Sequence, residues 1–244
     1  MASLRKHVSR HAQQRYRSCV RDIQTSKDYL EYVRINDKDV TTTIFRGTLY
    51  ELYAKEFLEK RLNCYDMTRV GGAGDNGVDV FGKWNLNTYW KALSDVQKLK
   101  KYPRTSILTA SKQYNDAIDS EATRIIDLES SIQVFVQCKN YKKRIQPATI
   151  REIAGVYDFH AKTALDRMKS FFFLLSPFPL TKQAHRQFDT SPVPLLHLKI
   201  PSSPVEYVDE DDESVDSFGE PAPIYINQKA RKLLRGLEAE IIKF

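Results

Sequence analysis

The sequence predicts an α/β chain built on a mixed central β-sheet, and two observations lead to this prediction. Segments with a helical repeat of apolar residues alternate with short runs rich in β-branched and aromatic residues. Their order is helix, hairpin, polar insertion, strand, helix, strand, helix, strand. A hairpin followed by strands that alternate with helices predicts antiparallel and parallel pairing in one sheet flanked by helices. A chain of 244 residues is long enough to bury one sizeable core.

The order begins with a helix and a hairpin. A helix is predicted over residues 41–63, because threonines able to cap its first turn precede apolar residues at a 3.6-residue spacing. Residues 64–70 are expected to form a short strand. The glycine-rich stretch 71–77 then turns the chain into a returning strand over residues 78–84.

Residues 86–129 have a different character, because they are polar and contain two helical patterns but no strand pattern. We therefore expect a helical insertion between core strands. Residues 131–139 alternate apolar and polar side chains, which predicts that the sheet resumes after the insertion.

The C-terminal half predicts helices that alternate with strands. Pro147 suits the first turn of a helix that continues to about residue 162, and Thr181 can cap a shorter helix. The apolar run at residues 170–175 has the length of a buried strand, and residues 194–200 form a further strand.

Charge divides the chain into four parts. Residues 1–25 are predicted to be a basic leader, because residues 1–21 hold six Lys or Arg and no acid, as is typical of a mitochondrial transit segment. A basic arm that binds nucleic acid is the alternative. Residues 26–200 are the expected folded domain. Residues 201–223 are predicted to be a disordered acidic loop, with seven acids between positions 206 and 216, and residues 224–244 a basic helix.

Composition excludes several classes of protein. No apolar run reaches the roughly 18 residues that a membrane span needs, so no membrane span is expected. The three cysteines (Cys19, Cys64 and Cys138) form no C-x-x-C pair, and the five histidines show no zinc spacing. The net charge of +7 agrees with a nucleic-acid partner.

The stretch GGAGDNGVDV, residues 71–80, contains the dinucleotide fingerprint G-x-G-x-x-G at Gly72, Gly74 and Gly77. That fingerprint binds a pyrophosphate only where the glycines lead into a helix. Here a β-branched alternating run follows, and no Gly-Lys-Ser/Thr is present. The sequence therefore predicts neither a nicotinamide nor a flavin cofactor.

Asp79 is the candidate functional residue of this stretch. Its side chain points away from those of Val78 and Val80 if the run is a strand. If this strand pairs with the one over residues 131–139, Asp79, Gln137 and Lys139 can converge on one side of the sheet. Oxygen ligands suit Mg²⁺ or Mn²⁺, and we expect them from the Asp79 carboxylate, the Gln137 amide and the backbone carbonyl of Cys138.

Lys139 would then hold or deprotonate the attacking water and offset charge in the transition state of phosphodiester hydrolysis. Each residue also has a simpler interpretation. Asp79 could be an ordinary turn carboxylate, and Lys139 a solvated lysine at the end of a strand.

The run from Gly72 to Val80, followed by Val136-Gln137-Cys138-Lys139, resembles the Mrr-like branch of the PD-(D/E)XK nucleases. In that branch a GGxGDxGVD loop delivers the aspartate and QxK replaces the more usual (D/E)xK. The resemblance implies a restriction endonuclease-like core with the order α-β-β-β-α-β. Within the branch, the arrangement is most similar to the fungal mitochondrial required for respiratory growth protein 7 family.

The first helix carries a second part of the resemblance, in the stretch GTLYELY at residues 47–53. The family's helix-borne glutamate matches Glu51 there, which implies a second carboxylate near the metal. A helix-surface glutamate is the alternative. Asp75 matches the family's first loop aspartate, although an Asp-Asn-Gly sequence also favours a turn, and we expect Asp75 to brace the loop.

Two departures from the family pattern matter. Asp79 and Gln137 are separated by 58 positions, so the insertion at residues 86–129 must be an added element. Gln137 is uncharged, so a metal site would depend on Glu51 as well as on Asp79.

The leading hypothesis is a Mg²⁺- or Mn²⁺-dependent nuclease that acts on mitochondrial DNA and supports respiratory growth. Lys142, Lys143 and Arg144 would contact phosphates without reading sequence. One alternative is a non-catalytic DNA- or RNA-binding factor that keeps the nuclease fold, and another is an assembly factor. The sequence leaves the oligomeric state open, a dimer included.

Overall fold

The computed structural model describes residues 20–71, 76–118, 125–202 and 223–243. These residues form one mixed sheet of six strands in which neighbours in sequence are neighbours in space. The strands are β1 (Cys64–Arg69), β2 (Val80–Trp84), β3 (Gln133–Cys138), β4 (Ser170–Ser176), β5 (Leu195–Lys199) and β6 (Ile224–Ile226). β1, β2 and β3 pair antiparallel, β3, β4 and β5 pair parallel, and β6 pairs antiparallel with β5. The predicted α/β class with a mixed sheet is confirmed.

Helices flank this sheet. In chain order they are α1 (Ser26–Ile35), α2 (Thr43–Arg61), α3 (Asn87–Ala92), α4 (Asp95–Lys98), α5 (Lys112–Ala117), α6 (Pro147–His160), α7 (Ala164–Lys169), α8 (Lys182–Thr190), α9 (Gln228–Leu233) and α10 (Glu238–Ile241). Short 3-10 helices occupy Val20–Asp22 and Ile107–Ala110. Capping follows the sequence, since the hydroxyl oxygens of Thr42 and Thr181 accept hydrogen bonds from the first turns of α2 and α8.

The centre of the sheet is β4, whose sequence SFFFLLS is buried along its whole length. A strand paired in parallel on both sides and covered on both faces needs an almost continuous apolar run. Phe171, Phe173 and Leu175 face the larger core, where α2 packs. Phe172 and Leu174 face a second core, which α6 and α8 cover.

The described part of the predicted helical insertion, residues 86–118 and 125–129, lies between β2 and β3 and packs into the larger core. Leu86, Tyr89 and Trp90 are buried there with Ile107 and Leu108. The Ser106 hydroxyl donates to the Arg235 carbonyl at 2.8 Å, so the segment is also joined to the C-terminal helices. The segment therefore forms part of the main body of the molecule.

The structure differs from the sequence-based expectation at the N-terminal boundary. Residues 20–25, assigned to the leader, belong to the fold: Ile23 is buried and Gln24 exchanges hydrogen bonds with the backbone of Arg69. Helix α1 was not predicted, and Ser26 at its start is held by the Glu56 carboxylate at 2.7 Å. The leader itself (residues 1–19) lies outside the described residues, as do residues 203–222 of the acidic loop.

The C-terminal segment is not the single basic helix that was predicted over residues 224–244. It begins with β6, continues as α9 after the Asn227 cap and, after a break, ends with α10. Gly236 lies in the break at φ +107°, where a side chain would collide with Tyr102. A left-handed residue packed against a tyrosine cannot continue a helix, which is why the segment divides there.

No helix among the described residues combines the length and the apolar character that a bilayer crossing requires.

Candidate active site at the ends of β2 and β3

Asp79 lies immediately before β2, at a bend that sends its neighbours to opposite sides of the sheet. Val78 packs in the core beneath α6, and Val80 packs in the core beneath α2, so the expectation that Asp79 points away from two valines on one shared face is wrong. The strand begins only at Val80, and its alternation does not extend back to Val78. The bend follows a turn in which Asn76 and Gly77 adopt φ of 52° and 79°. Gly77 tolerates that conformation without strain, and its Cα faces the Val156 side chain of α6.

The Asp79 carboxylate is held at the end of β3. The backbone N–H of Asp79 donates to the Val136 carbonyl at 2.9 Å, and Asp79 Oδ2 accepts from the Cys138 N–H at 2.6 Å. The Asp79 carbonyl in turn accepts from the N–H groups of Val70 and Gly71. These bonds position the carboxylate beside Gln137 and Cys138, whatever chemistry it performs.

Gln137 and Lys139 both reach a carboxylate of α6. Gln137 Nε2 lies 3.5 Å from Glu152 Oε1, and Lys139 Nζ lies 3.8 Å from the same oxygen. No sequence motif points to Glu152. It lies on the exposed side of α6, where glutamates are common, and only the packing of α6 beside β3 brings it to this position.

The Gln137 amide oxygen is the unusual atom of the site. The side chain is 3% exposed, and Oε1 has no hydrogen-bond partner among the described residues. An unpaired buried amide oxygen costs about 1–3 kcal/mol of folding free energy. Such an atom can serve as an oxygen donor for a cation or a water molecule.

Glu51 projects from α2 and pairs with Arg69 of β1. Arg69 Nε donates to Glu51 Oε2 at 2.8 Å, and the two side chains are 4% and 16% exposed. Arg69 also contacts the Thr48 hydroxyl at 3.4 Å. The structure therefore places Glu51 in a shielded ion pair, and this partner was not foreseen from the sequence.

The Cys138 thiol reports that the charged groups lie close together. Burial raises the pKa of this thiol well above its ordinary value, and the carboxylates of Asp79 and Glu51 raise it further. The cations Lys139 and Arg69 lower it. Four charged side chains from β1, α2 and the ends of β2 and β3 thus lie close enough to interact with one sulfur atom.

A cleft of about 820 Å³ opens beside these residues. Its walls are the first turns of α2 and the loop that follows β3. Four cationic side chains line it: Arg46, Lys139, Lys142 and Lys143. Arg144, predicted to contact phosphates with Lys142 and Lys143, is exposed but is not part of the lining.

The described residues contain no group of three His, Cys, Asp or Glu side chains placed to hold a metal ion. An all-carboxylate cage is therefore not available within them. Mg²⁺ commonly binds through one or two carboxylates together with waters and substrate phosphates, so this absence does not bear on that simpler arrangement. Gly72, Gly74 and Asp75 lie outside the described residues.

Comparison with known proteins gives a consistent family. The family described as "Required for respiratory growth protein 7" matches residues 42–234, from α2 through α9. Proteins named "Required for respiratory growth protein 7, mitochondrial" are similar over most of their length. The one from Vanderwaltozyma polyspora is 26% identical over 213 residues, 85% of this chain and 82% of its own.

Two further relatives carry the same name. The Kluyveromyces lactis protein is 28% identical over 216 residues, covering 85% of this chain and 86% of its own. The Saccharomyces cerevisiae protein is 30% identical over 172 residues, 69% of this chain and 70% of its own. No solved structure matches.

Proposed function

The chain belongs to the required for respiratory growth protein 7 family, and we propose that it is a metal-dependent nuclease that hydrolyses DNA in mitochondria. Its relatives are named as mitochondrial, so the mitochondrial localisation expected from the basic leader is confirmed. The nuclease activity, its metal and its DNA substrate are the proposed part.

The unpartnered Gln137 Oε1 is the observation that carries the proposal. It is buried in the residue that precedes Cys138, whose N–H holds the Asp79 carboxylate, and the amide nitrogen of the same side chain lies near the Glu152 oxygen that Lys139 also approaches. A side chain chosen for packing alone would be apolar here, because its row neighbour Leu174 is apolar and buried. An unsatisfied amide oxygen in this place is explained if it serves a ligand.

The donor set fits a hard divalent cation such as Mg²⁺ or Mn²⁺. Asp79, the Gln137 amide oxygen and the Cys138 backbone carbonyl would hold it, with Glu51 as the second carboxylate. When bound, the cation supplies electrostatic stabilisation of phosphoryl oxygens and a more acidic water. Arg69 balances the charge of Glu51 within the fold.

The remaining chemistry falls to side chains of the chain itself. Lys139 Nζ would hold the attacking water and offset negative charge that develops on the phosphate. Glu152 positions Lys139 through the 3.8 Å ion pair and contacts the Gln137 amide. A single group that stabilises transition-state charge typically contributes about 10²–10³-fold in rate.

We extend the proposal to the fold family. The core order α2, β1, β2, β3, α6, β4 is the α-β-β-β-α-β order of a restriction endonuclease-like core. The pairing of β1, β2 and β3 as an antiparallel unit, with β4 parallel to β3, supports the same assignment.

A metal-dependent cleavage assay tests the proposal. The wild-type protein should cleave DNA with Mg²⁺ or Mn²⁺ and not with EDTA, and Asp79→Asn should lose at least about 100-fold of that activity. Asp66→Asn is the matched control, because Asp66 is an exposed carboxylate on β1 whose partner is Lys83. Equal cleavage by wild type and Asp79→Asn, with or without metal, would refute the proposal.

A second function is favoured by the engagement of Glu51 with Arg69, because this ion pair occupies the second carboxylate that the proposed metal site needs. It is a non-catalytic nucleic-acid-binding factor that retains the fold. Calorimetry separates the two functions: no Mg²⁺ or Mn²⁺ binding, together with nucleic-acid binding that weakens steeply with salt, would establish the second.

A further inference from the structure

We infer that the cleft beside Lys139 holds a short single strand of nucleic acid, so that the substrate has unpaired nucleotides next to the bond that is cut. This inference rests on the proposed nuclease function and adds the structural class of its substrate. The cleft and the candidate active site are continuous, because Cys138 and Lys139 belong to both.

The charge of the cleft fits a phosphate backbone. Arg46 on the α2 wall faces Lys142 and Lys143 on the loop wall, and no carboxylate is among the described residues that line the cleft. The acids that interact with lining residues stand outside the lining: Asp39 interacts with Arg46, Glu152 with Lys139, and Asp79 accepts from the Cys138 N–H. Cations gathered from two walls, without acids between them, provide a track for successive phosphates.

An exposed aromatic ring in the same cleft provides a surface for an unpaired base. Tyr141 lines the cleft with a side chain that is 44% exposed, and Lys139 Nζ lies 5.9 Å from the centre of that ring. Tyr50 also lines the cleft but is only 1% exposed, so it supports the opposite wall and offers no ring face for stacking. Grooves that bind single strands combine cations along the backbone with aromatic platforms on which bases stack, and this cleft has both.

Size separates a single strand from a duplex. A volume of about 820 Å³ lies within the range of roughly 300–1,000 Å³ that pockets for one small organic molecule occupy. A nucleotide or two is of that size. A duplex is much larger, since its major groove alone is about 12 Å wide, so we expect a duplex to contact the rim of the cleft.

The cleft is already formed in the free protein. Asn140 Nδ2 donates to the Arg46 carbonyl at 3.3 Å across the walls, and Ser202 Oγ donates to Asn140 Oδ1 at 2.8 Å. Tyr50 Oη donates to the Ile200 carbonyl at 3.1 Å, which ties α2 to the segment after β5. Because the walls are tied together, binding requires little reorganisation.

The test measures binding without catalysis. Full-length protein in EDTA is titrated into a fluorescein-labelled single strand of DNA, a blunt duplex and a duplex with a single-stranded tail, and anisotropy gives each Kd. The single strand and the tailed duplex should bind at least about 10-fold tighter than the blunt duplex. Arg46→Glu and Tyr141→Ala should each weaken single-strand binding by about 10-fold or more.

Matched controls lie away from the cleft. Arg104→Glu repeats the charge reversal at an exposed arginine, and Phe178→Ala removes a ring that is 41% exposed. Both should bind as wild type does, and circular dichroism should show every variant folded. A blunt duplex that binds as tightly as the single strand overturns the inference, as does unchanged single-strand binding by Arg46→Glu and Tyr141→Ala.

Failure of the two proposals is distinguishable. If wild type cleaves none of the three DNAs with Mg²⁺ or Mn²⁺ but binds the single strand through Arg46 and Tyr141, the nuclease function fails and the strand-binding cleft stands. If it cleaves the blunt duplex as fast as the tailed one, the nuclease stands and the cleft inference fails.

Discussion

Two buried polar side chains occupy the same row of the sheet, one on each side of Leu174, and they differ in one respect. Gln137 of β3 and His197 of β5 are both partners of Leu174 across the ladder, and they are 3% and 6% exposed. His197 Nε2 lies 2.8 Å from Ser176 Oγ, whose hydroxyl donates to the Phe178 carbonyl at 2.7 Å. Gln137 Oε1 has no partner among the described residues.

The difference separates a structural polar group from a candidate functional one. A buried polar group whose hydrogen bonds are complete stabilises and specifies a fold, whereas an unsatisfied one destabilises it. His197 is enclosed, and burial, followed by the charge of His185, lowers its pKa to about 4, so its ring is neutral at pH 7. Gln137 adjoins Cys138, which holds Asp79 and lines the cleft, and its amide nitrogen lies 3.5 Å from the Glu152 oxygen that Lys139 also approaches.

The largest expected effect is a loss of activity on the Gln137 side of the row. If activity is not lost, the assignment of a functional role to this side is wrong. Lys139→Met should reduce metal-dependent DNA cleavage by at least about 100-fold, because it removes the cation next to Gln137, and should leave the melting temperature almost unchanged. Lys83→Met is the matched control, since Lys83 is likewise paired with an acid, Asp66, and lies 5.6 Å from the centre of the Tyr65 ring. Loss of cleavage in both variants would remove the special role of Lys139.

At His197, on the other side of Leu174, substitution should reduce the stability of the fold and leave activity unchanged. His197→Ala leaves a cavity and removes the hydrogen-bond partner of the Ser176 hydroxyl, so the free energy of unfolding should fall by about 3–4 kcal/mol. Urea unfolding measures this, and cleavage at a temperature where the variant is folded should match wild type. His185→Ala, at an exposed ring that stacks on Tyr225 at 4.4 Å, should cost less than half as much. A cost of under 1 kcal/mol for His197→Ala would contradict the structural role.

Acid should destabilise the protein through the same histidine. Below its unfolded pKa of about 6.5 the unfolded chain takes up a proton at His197, while the folded chain does not until about pH 4. The contribution of His197 to the free energy of unfolding should therefore be constant above about pH 6.5 and should fall by about 2–3 kcal/mol between pH 6.5 and 4. Chemical denaturation at a series of pH values measures the slope, which should flatten in His197→Gln.

Part of that slope should persist in His197→Gln, because burial also lowers the pKa of His160. The carboxylates whose pKa is lowered, Asp39, Asp127 and Asp166, lose their stabilising effect only as the pH falls below about 4, so they act outside this window. An equal slope in wild type and His197→Gln would show that His197 is not the group responsible.

The smallest expected effect is the change in unfolding free energy of a Gln137 variant, and it gives the most direct test of whether Gln137 is a functional or a structural residue. Gln137→Leu removes the unsatisfied oxygen at similar volume, so the free energy of unfolding should stay equal or rise by about 1 kcal/mol while cleavage falls. Gln133→Leu, at an exposed position of the same strand, should change neither quantity by a comparable amount. A Gln137→Leu variant that is destabilised by several kcal/mol and fully active would reverse the assignment.

Local patterns accounted for most of the sheet and the longer helices. The apolar run of β4, the alternation in β3 and the capped helices α2 and α8 are all visible within a few residues of sequence. Helix α1 escaped prediction because tertiary contacts hold it, including the bond from Ser26 to Glu56. Strand β6 has three residues, too few for a pattern, and exists by pairing with β5.

By itself the sequence determined the fold class, the positions of Asp79, Gln137 and Lys139 near paired strand ends, and a basic segment after β3. The alternation of side chains in a strand accounts for Gln137 but not for Asp79, because Asp79 lies at a bend before β2 that sends Val78 and Val80 to opposite faces. Family membership also followed from short motifs.

Only the tertiary structure decided which of these polar groups have hydrogen-bond or ion-pair partners and which have none among the described residues. The Glu51–Arg69 pair joins residues 18 positions apart, the contact of Gln137 with Glu152 spans 15, and the bond from Tyr50 to Ile200 that closes the cleft spans 150. No local propensity encodes such distances. They arise because burying the apolar faces of α2 and α6 on opposite sides of one sheet brings the polar residues beside them together at the end of β3.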